Sequence, residues 1–141
     1  MNALARLLPV PQDRARSVGR EAAVWVITLF LFQAFVTAGY RKLLADSGWT
    51  EAFTHWGYPS WFRQLVGVCE IVGSLLILYP RVAAYGATLI FAVMVGAVGT
   101  HIRVGEYLDA YHSDLPSLCF SAALILARWP AMPRAAPEPS L

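Results

Sequence analysis

Chemistry in this chain would be arranged around Glu70. It stands in the middle of Trp61–Tyr79, WFRQLVGVCEIVGSLLILY, an apolar run whose only other charge is Arg63 near its start. An acid at the centre of a bilayer costs ~3 kcal/mol even on insertion scales, so it needs protein partners and marks a functional position. Its chemistry would be proton exchange with a ligand or with water. Six further polar residues stand in or at the ends of apolar runs. Gln33, Thr37 and Arg41 recur at every fourth residue and share one helix face, with Lys42 beside them. Thr100 and His101 close another apolar run. Counting depth along the helices puts Gln33 level with Glu70. Thr37, Arg41, Lys42, Arg63, Thr100 and His101 then gather toward one end. The expected site is a polar cleft with Glu70 at its floor and those residues as ligand-binding groups.

The same count places Lys42 about 10–15 Å above Gln33. A snorkelling lysine reaches outward more easily than inward. Glu70 is therefore expected to hold its proton at rest and to hydrogen-bond Gln33. On that reading Glu70→Gln is neutral for folding and harmful to function, whereas Glu70→Ala harms both. The alternative is a structural Glu70 that only fixes helix register. A metal site from His101, His112, Asp109 and Glu106 has no diagnostic ligand spacing, and none is expected. Cys69 and Cys119 lie in apolar runs without a C-x-x-C pattern, and read as buried, inert thiols.

The elements that must position these residues are helices. The 141 residues are 57% hydrophobic and 14% charged, against about 25% charged in a soluble domain, which makes this an integral membrane protein. A net charge of +2 gives no reason to expect nucleic acid as a partner. Four apolar runs, 22–39, 61–79, 82–102 and 114–129, give an all-α, four-helix transmembrane bundle over residues 21–129. A cleaved signal peptide ending near Val36 and Ala38 is a rival reading of the first run, which is long for that purpose. Residues 1–20 read as a basic cytoplasmic tail and 130–141, rich in proline, as a disordered one.

Between the first two spans, Trp49, Phe53 and Trp56 fall at i, i+4 and i+7, the stripe of a short interfacial helix that ends at Gly57. Anchoring at the membrane surface is the expected role of these aromatics. Gly67 and Gly73 flank Glu70 by one turn on either side, and Gly86, Gly96 and Gly99 offer small contacts in the third span. Pro80-Arg81 makes a tight turn, and residues 103–113 read as an acidic loop. Ser113 or Asp114 caps the last helix, with Pro116 in its first turn. With both termini inside, seven basic residues (Arg6, Arg14, Arg16, Arg20, Arg81, Arg128 and Arg134) face four outside (Arg41, Lys42, Arg63 and Arg103). That asymmetry favours a cytoplasmic N- and C-terminus and an outward-facing cleft.

Ala38-Gly39-Tyr40-Arg41-Lys42-Leu43, then Trp56-Gly57-Tyr58-Pro59, Gly67-x-x-Glu70-x-x-Gly73, Pro80-Arg81 and Met94-x-Gly96-Ala97-x-x-Thr100-His101 together resemble the DoxX family. The resemblance runs from the first helix to the fourth. It implies a four-helix protein of the bacterial cytoplasmic membrane, and it matches Lys42 and Glu70 to the family's recurrent charged positions. Some members are associated with quinone-linked redox systems, as in the small subunits of thiosulfate:quinone oxidoreductase. The related vitamin K epoxide reductase-like bundles use paired cysteines, which this chain lacks in that spacing.

Two expectations follow. The first is a membrane subunit of a quinone-linked redox system, possessing no intrinsic cofactor and binding a quinone head group or small polar ligand in the cleft. The second is a non-catalytic anchor or assembly partner for a soluble oxidoreductase. The bilayer is the certain partner, a redox protein the expected one, and a homo-oligomer is compatible with either. No haem, flavin or nucleotide motif is present in the sequence, so electrons would be carried by another chain.

Overall fold

The structure, a computed structural model, describes residues 11–129. The tail at 130–141 and the first ten residues of the basic tail lie outside the described residues. All described secondary structure is helical, in the order α1 (Pro11–Leu43), α2 (Ser47–His55), α3 (Ser60–Ile77), α4 (Ala83–Val104), a short α5 (Tyr107–Asp109), a π-helical turn (Ala110–Asp114) and α6 (Leu115–Arg128). Among the described residues, three stretches are long and apolar enough to cross a membrane, namely Ser17–Leu43, Ser60–Ile77 and Ala83–Val104. The fourth, α6, has 14 residues and is short for a span by itself.

Two boundaries differ from the sequence reading. Helix α1 begins at Pro11, well before the apolar run, because proline is tolerated in a helix's first turn and the arginines and alanines that follow are good helix formers. The expected loop 103–113 is mostly wound into α5 and the π-helical turn that leads into α6. Asp114 makes no side-chain cap there; its carboxylate is engaged elsewhere, although Pro116 does occupy the first turn of α6. Gly57 (φ +80°) ends α2 as expected, and Gly105 (φ +84°), which falls within the expected loop 103–113, ends α4 in the same left-handed backbone.

The helices α1, α3, α4 and α6 pack in sequence around a ring, which α1 and α6 close. Glycines set the spacing of two of these contacts. A Cβ on Gly39 would lie 2.7 Å from the Gly67 carbonyl oxygen, and one on Gly86 the same distance from that of Gly73. Gly67 thus serves α1–α3 and Gly73 serves α3–α4, on either side of Glu70. Gly96 and Gly99 make no such contact, having open space where a Cβ would be.

An apolar core of Val24, Leu31, Phe35, Ile77, Ala87, Ile90, Met94 and Leu124 fills the half of the bundle toward the two termini. Arg128 ties that end together, donating to Glu21 at 2.6 Å. The opposite half, toward α2 and the π-helical turn, is where the polar residues converge.

Candidate functional site

Along α1, Val24, Thr28, Leu31, Phe35, Gly39 and Lys42 are buried and recur at intervals of three and four. Lys42 therefore faces α3, not the outside. A helical side chain leans toward the N-terminus of its own helix. Helices α1 and α3 are antiparallel, so Lys42 leans down the bundle and Glu70 leans up, and the two meet beside the Gly39–Gly67 contact. Lys42 Nζ donates to both carboxylate oxygens of Glu70, at 2.9 and 2.8 Å. Both side chains are almost wholly buried, at 4% and 3% exposure. The ammonium also lies 3.6 Å from the centre of the Trp49 ring, a cation–π contact. Arg63 completes the arrangement by donating to the Lys42 carbonyl near the end of α1.

These contacts correct the expectation that Glu70 pairs with Gln33. Gln33 and Thr37 lie on the exposed face of α1 and bond each other, at 3.1 Å. Polarity suggested that this face turns inward; the close packing of Gly39 on Gly67 turns it outward. Arg41, on the same side, is exposed and pairs with Asp46 at 3.2 Å. Asp46 also accepts from the Gly48 amide and so caps α2.

The second polar group lies on α4 and the turn that follows it. His101 Nδ1 is 2.5 Å from Asp114 Oδ2, and both residues are buried. With Asp114 as carboxylate, Nδ1 carries the proton and Nε2 faces Glu106, 3.7 Å away. Thr100 donates to the Gly96 carbonyl, so the Tyr58 hydroxyl, 2.9 Å away, donates to Thr100. Among the described residues, no buried side-chain nitrogen or oxygen lacks a hydrogen-bond partner.

The two groups face each other across a cavity of about 750 Å³. Its walls include Lys42, Glu70, Thr100, His101, Glu106 and Asp114, with Arg41 at its edge. His55, Asp109 and Ser113 also line it, and most of the remaining wall is aromatic and apolar, with Trp49, Phe53, Trp56, Tyr58 and Phe62 beside Leu65, Val66, Val93, Met94 and Ala97. The aromatic stripe of α2 thus faces the cavity, beyond the anchoring role its sequence suggested. Phe53, 5% exposed, packs against Trp56 and Phe62 with ring centres 5.3 and 6.3 Å apart.

Of the eight residues singled out in the sequence, Arg41, Lys42, Glu70, Thr100 and His101 line this cavity, whereas Gln33, Thr37 and Arg63 do not. Asp114, Glu106, Tyr58 and the two tryptophans were missed as site residues. Their joint placement depends on the turn between α4 and α6 and on how α2 folds back, neither of which has a local spacing signature. Cys69 lines the cavity and Cys119 is exposed, and both are free. Among the described residues, no three His, Cys, Asp or Glu side chains are grouped to hold a metal ion.

A model of the DoxX-like family matches residues 26–126. The Bacillus subtilis (strain 168) protein YwoB, itself uncharacterised, is 28% identical over 127 residues, covering 80% of each chain. A second uncharacterised protein of that organism, YdgD, is 39% identical over 56 residues, or 37% of this chain and 49% of its own. No solved structure matches significantly.

Proposed function

Because the chain belongs to the DoxX-like family of membrane proteins, we propose that it binds the head group of a quinone in the cavity, as the membrane subunit of a redox system. The observation that carries this reading is a cavity of aromatic and apolar side chains whose walls also hold two buried ionisable pairs, Lys42–Glu70 and His101–Asp114. A planar ring with polar atoms at opposite edges suits such a space. The aromatic side chains supply ring-stacking surfaces. Lys42, held in place by Glu70, supplies an N–H donor to a carbonyl oxygen, and His101, whose own N–H is turned to Asp114, offers Nε2 as the acceptor for a head-group hydroxyl. A bound quinone would contribute the redox chemistry, with electrons delivered by a partner chain that carries a cofactor.

Trp49 and Trp56 provide the test. Menadione, a short soluble naphthoquinone, is titrated into the purified protein in mild detergent while tryptophan fluorescence is followed. Saturable quenching is expected, with a smaller amplitude in Trp56→Phe. Quenching that rises linearly, as it does by partition into empty micelles, would show that the cavity does not take this class of ligand.

The orientation belongs to the same proposal. The helix order places both ends of the described chain and the Pro80–Arg81 turn on one side, and the cavity mouth on the other. The excess of basic residues on the terminal side favours the cytoplasm for it. In a bacterial host, alkaline phosphatase fused after Trp129 is expected to be inactive and a fluorescent protein at the same point bright. An active phosphatase there would invert the topology.

A further inference from the structure

Helix α2 and the end of α4 meet through side chains, and these side chains form an ordered series. Asp114, His101, Glu106 and His55 have side-chain exposures of 8, 11, 31 and 66%, a staircase from the buried wall of the cavity to solvent. The Glu106 carboxylate lies between two imidazoles and offers one oxygen to each. Its Oε2 is 3.7 Å from His101 Nε2, and its Oε1 is 3.4 Å from His55 Nε2. Trp56 Nε1 donates to Oε2 at 3.0 Å and fixes the carboxylate in this bridging position. The Trp56 ring also packs edge-on to His101, with centres 5.0 Å apart. Arg103 holds this end of α2 by donating to the Trp56 carbonyl at 2.6 Å.

We propose that His101, Glu106 and His55, all on the cavity wall, form a proton path from its buried end to the aqueous face, with Asp114 as the positioning residue behind His101. The proposal rests on the reading of the cavity as a site for a head group with an exchangeable O–H. A proton leaving that oxygen is taken by His101 Nε2, and the resulting imidazolium is held by Asp114 at Nδ1. His101 then passes the proton to Glu106 Oε2. A half-turn of the carboxyl group exchanges its two oxygens and brings that O–H to His55 Nε2, and His55 takes the proton and gives it to water. Inward transfer is the reverse. Only N–H and O–H bonds change, one proton moves, and no electron is involved.

The Lys42–Glu70 pair is not part of the path. Its ammonium and carboxylate are satisfied by each other, and the ammonium acts electrostatically on Asp114 from α1. The other ionisable groups facing His101 are Glu106 and Asp114, and Asp109 also lies on the cavity wall.

The experiment uses a 2-hydroxy-3-alkyl-1,4-naphthoquinone, whose colour reports whether its hydroxyl is ionised. The probe is bound to the full chain in detergent, the pH is jumped by rapid mixing, and the colour of the bound probe is followed. The unaltered protein is expected to re-equilibrate fast. Glu106→Gln keeps an acceptor for Trp56 but cannot relay a proton, and should slow the change by roughly 100-fold, the low end of what a positioned acid–base group contributes. His55→Gln should also slow it, and added imidazole should restore its rate, which a merely structural defect would not allow. If both variants bind the probe and respond as fast as the unaltered protein, the path is wrong and the ligand reading stands. If the unaltered protein does not bind the probe, both are overturned.

Discussion

Glu70→Gln is expected to lower the stability of the protein severely, by about 3–5 kcal/mol, because it leaves the Lys42 ammonium buried without its counter-charge. A neutral amide offers one acceptor oxygen where the carboxylate accepts from Lys42 with two, at 2.9 and 2.8 Å. This reverses the expectation drawn from the sequence, in which Gln33 was the partner and an amide would have served as well as an acid. Lys42→Met should be similarly damaging, since it leaves a carboxylate alone in the same place. The double variant Lys42→Met/Glu70→Met removes both charges and keeps the volume, so its stability should return to near that of the parent. Its menadione binding should not return, because the donor at that wall is gone. Thermal unfolding in mild detergent, followed by scanning fluorimetry for the parent, Lys42→Met, Glu70→Met and the double variant, measures the coupling, with Glu70→Gln run beside them. Equal melting temperatures for Glu70→Gln and the parent would mean that the pair contributes nothing to the folded state.

Gly86→Ala should also destabilise strongly, by about 3 kcal/mol, because nothing near it can yield cheaply. The added Cβ would lie 2.7 Å from the Gly73 carbonyl oxygen, 2.7 Å from Leu76 Cβ and 2.8 Å from the Ile77 amide nitrogen. All three are backbone atoms or the first carbon attached to one, so α3 and α4 must separate. Gly39→Ala meets the Gly67 carbonyl at 2.7 Å and Glu70 Cβ at 3.2 Å. It should therefore loosen the Lys42–Glu70 pair as well as the helix contact. Gly96→Ala and Gly99→Ala are the controls. Neither new Cβ has an atom within 4 Å, and each gains helix propensity of about 0.5–1 kcal/mol. A loss of stability in these two as large as in Gly86→Ala would show that helix separation is not what the change at Gly86 does.

Much of this protein was legible along the chain. Apolar runs of spanning length, Gly57 at the end of the short helix, and the tight turn at Pro80-Arg81 are local features, and each appears where periodicity and turn chemistry put it. The acid at position 70, flanked by Gly67 and Gly73, likewise announced a buried carboxylate between close-packed helices. The short helix Ser47–His55 with its aromatic stripe was also evident, though its inward direction was not.

Rotation of each helix about its own axis was decided only by tertiary packing. Two stripes compete on α1: the polar one through Gln33, Thr37 and Arg41, and the one through Thr28, Leu31, Phe35, Gly39 and Lys42. In a membrane helix polarity alone favours turning the first stripe inward, yet it is the second that is buried. Gly39 can approach α3 only where α3 presents a glycine at the same level, and Gly67 is there. Their contact fixes the register in which Lys42 reaches Glu70. In the same way, His101 meets Asp114 because the chain between them winds into helical turns, where the sequence had suggested a loop. Such matches are properties of pairs of elements, set by backbone approach at ångström scale, and no single stretch of sequence contains them.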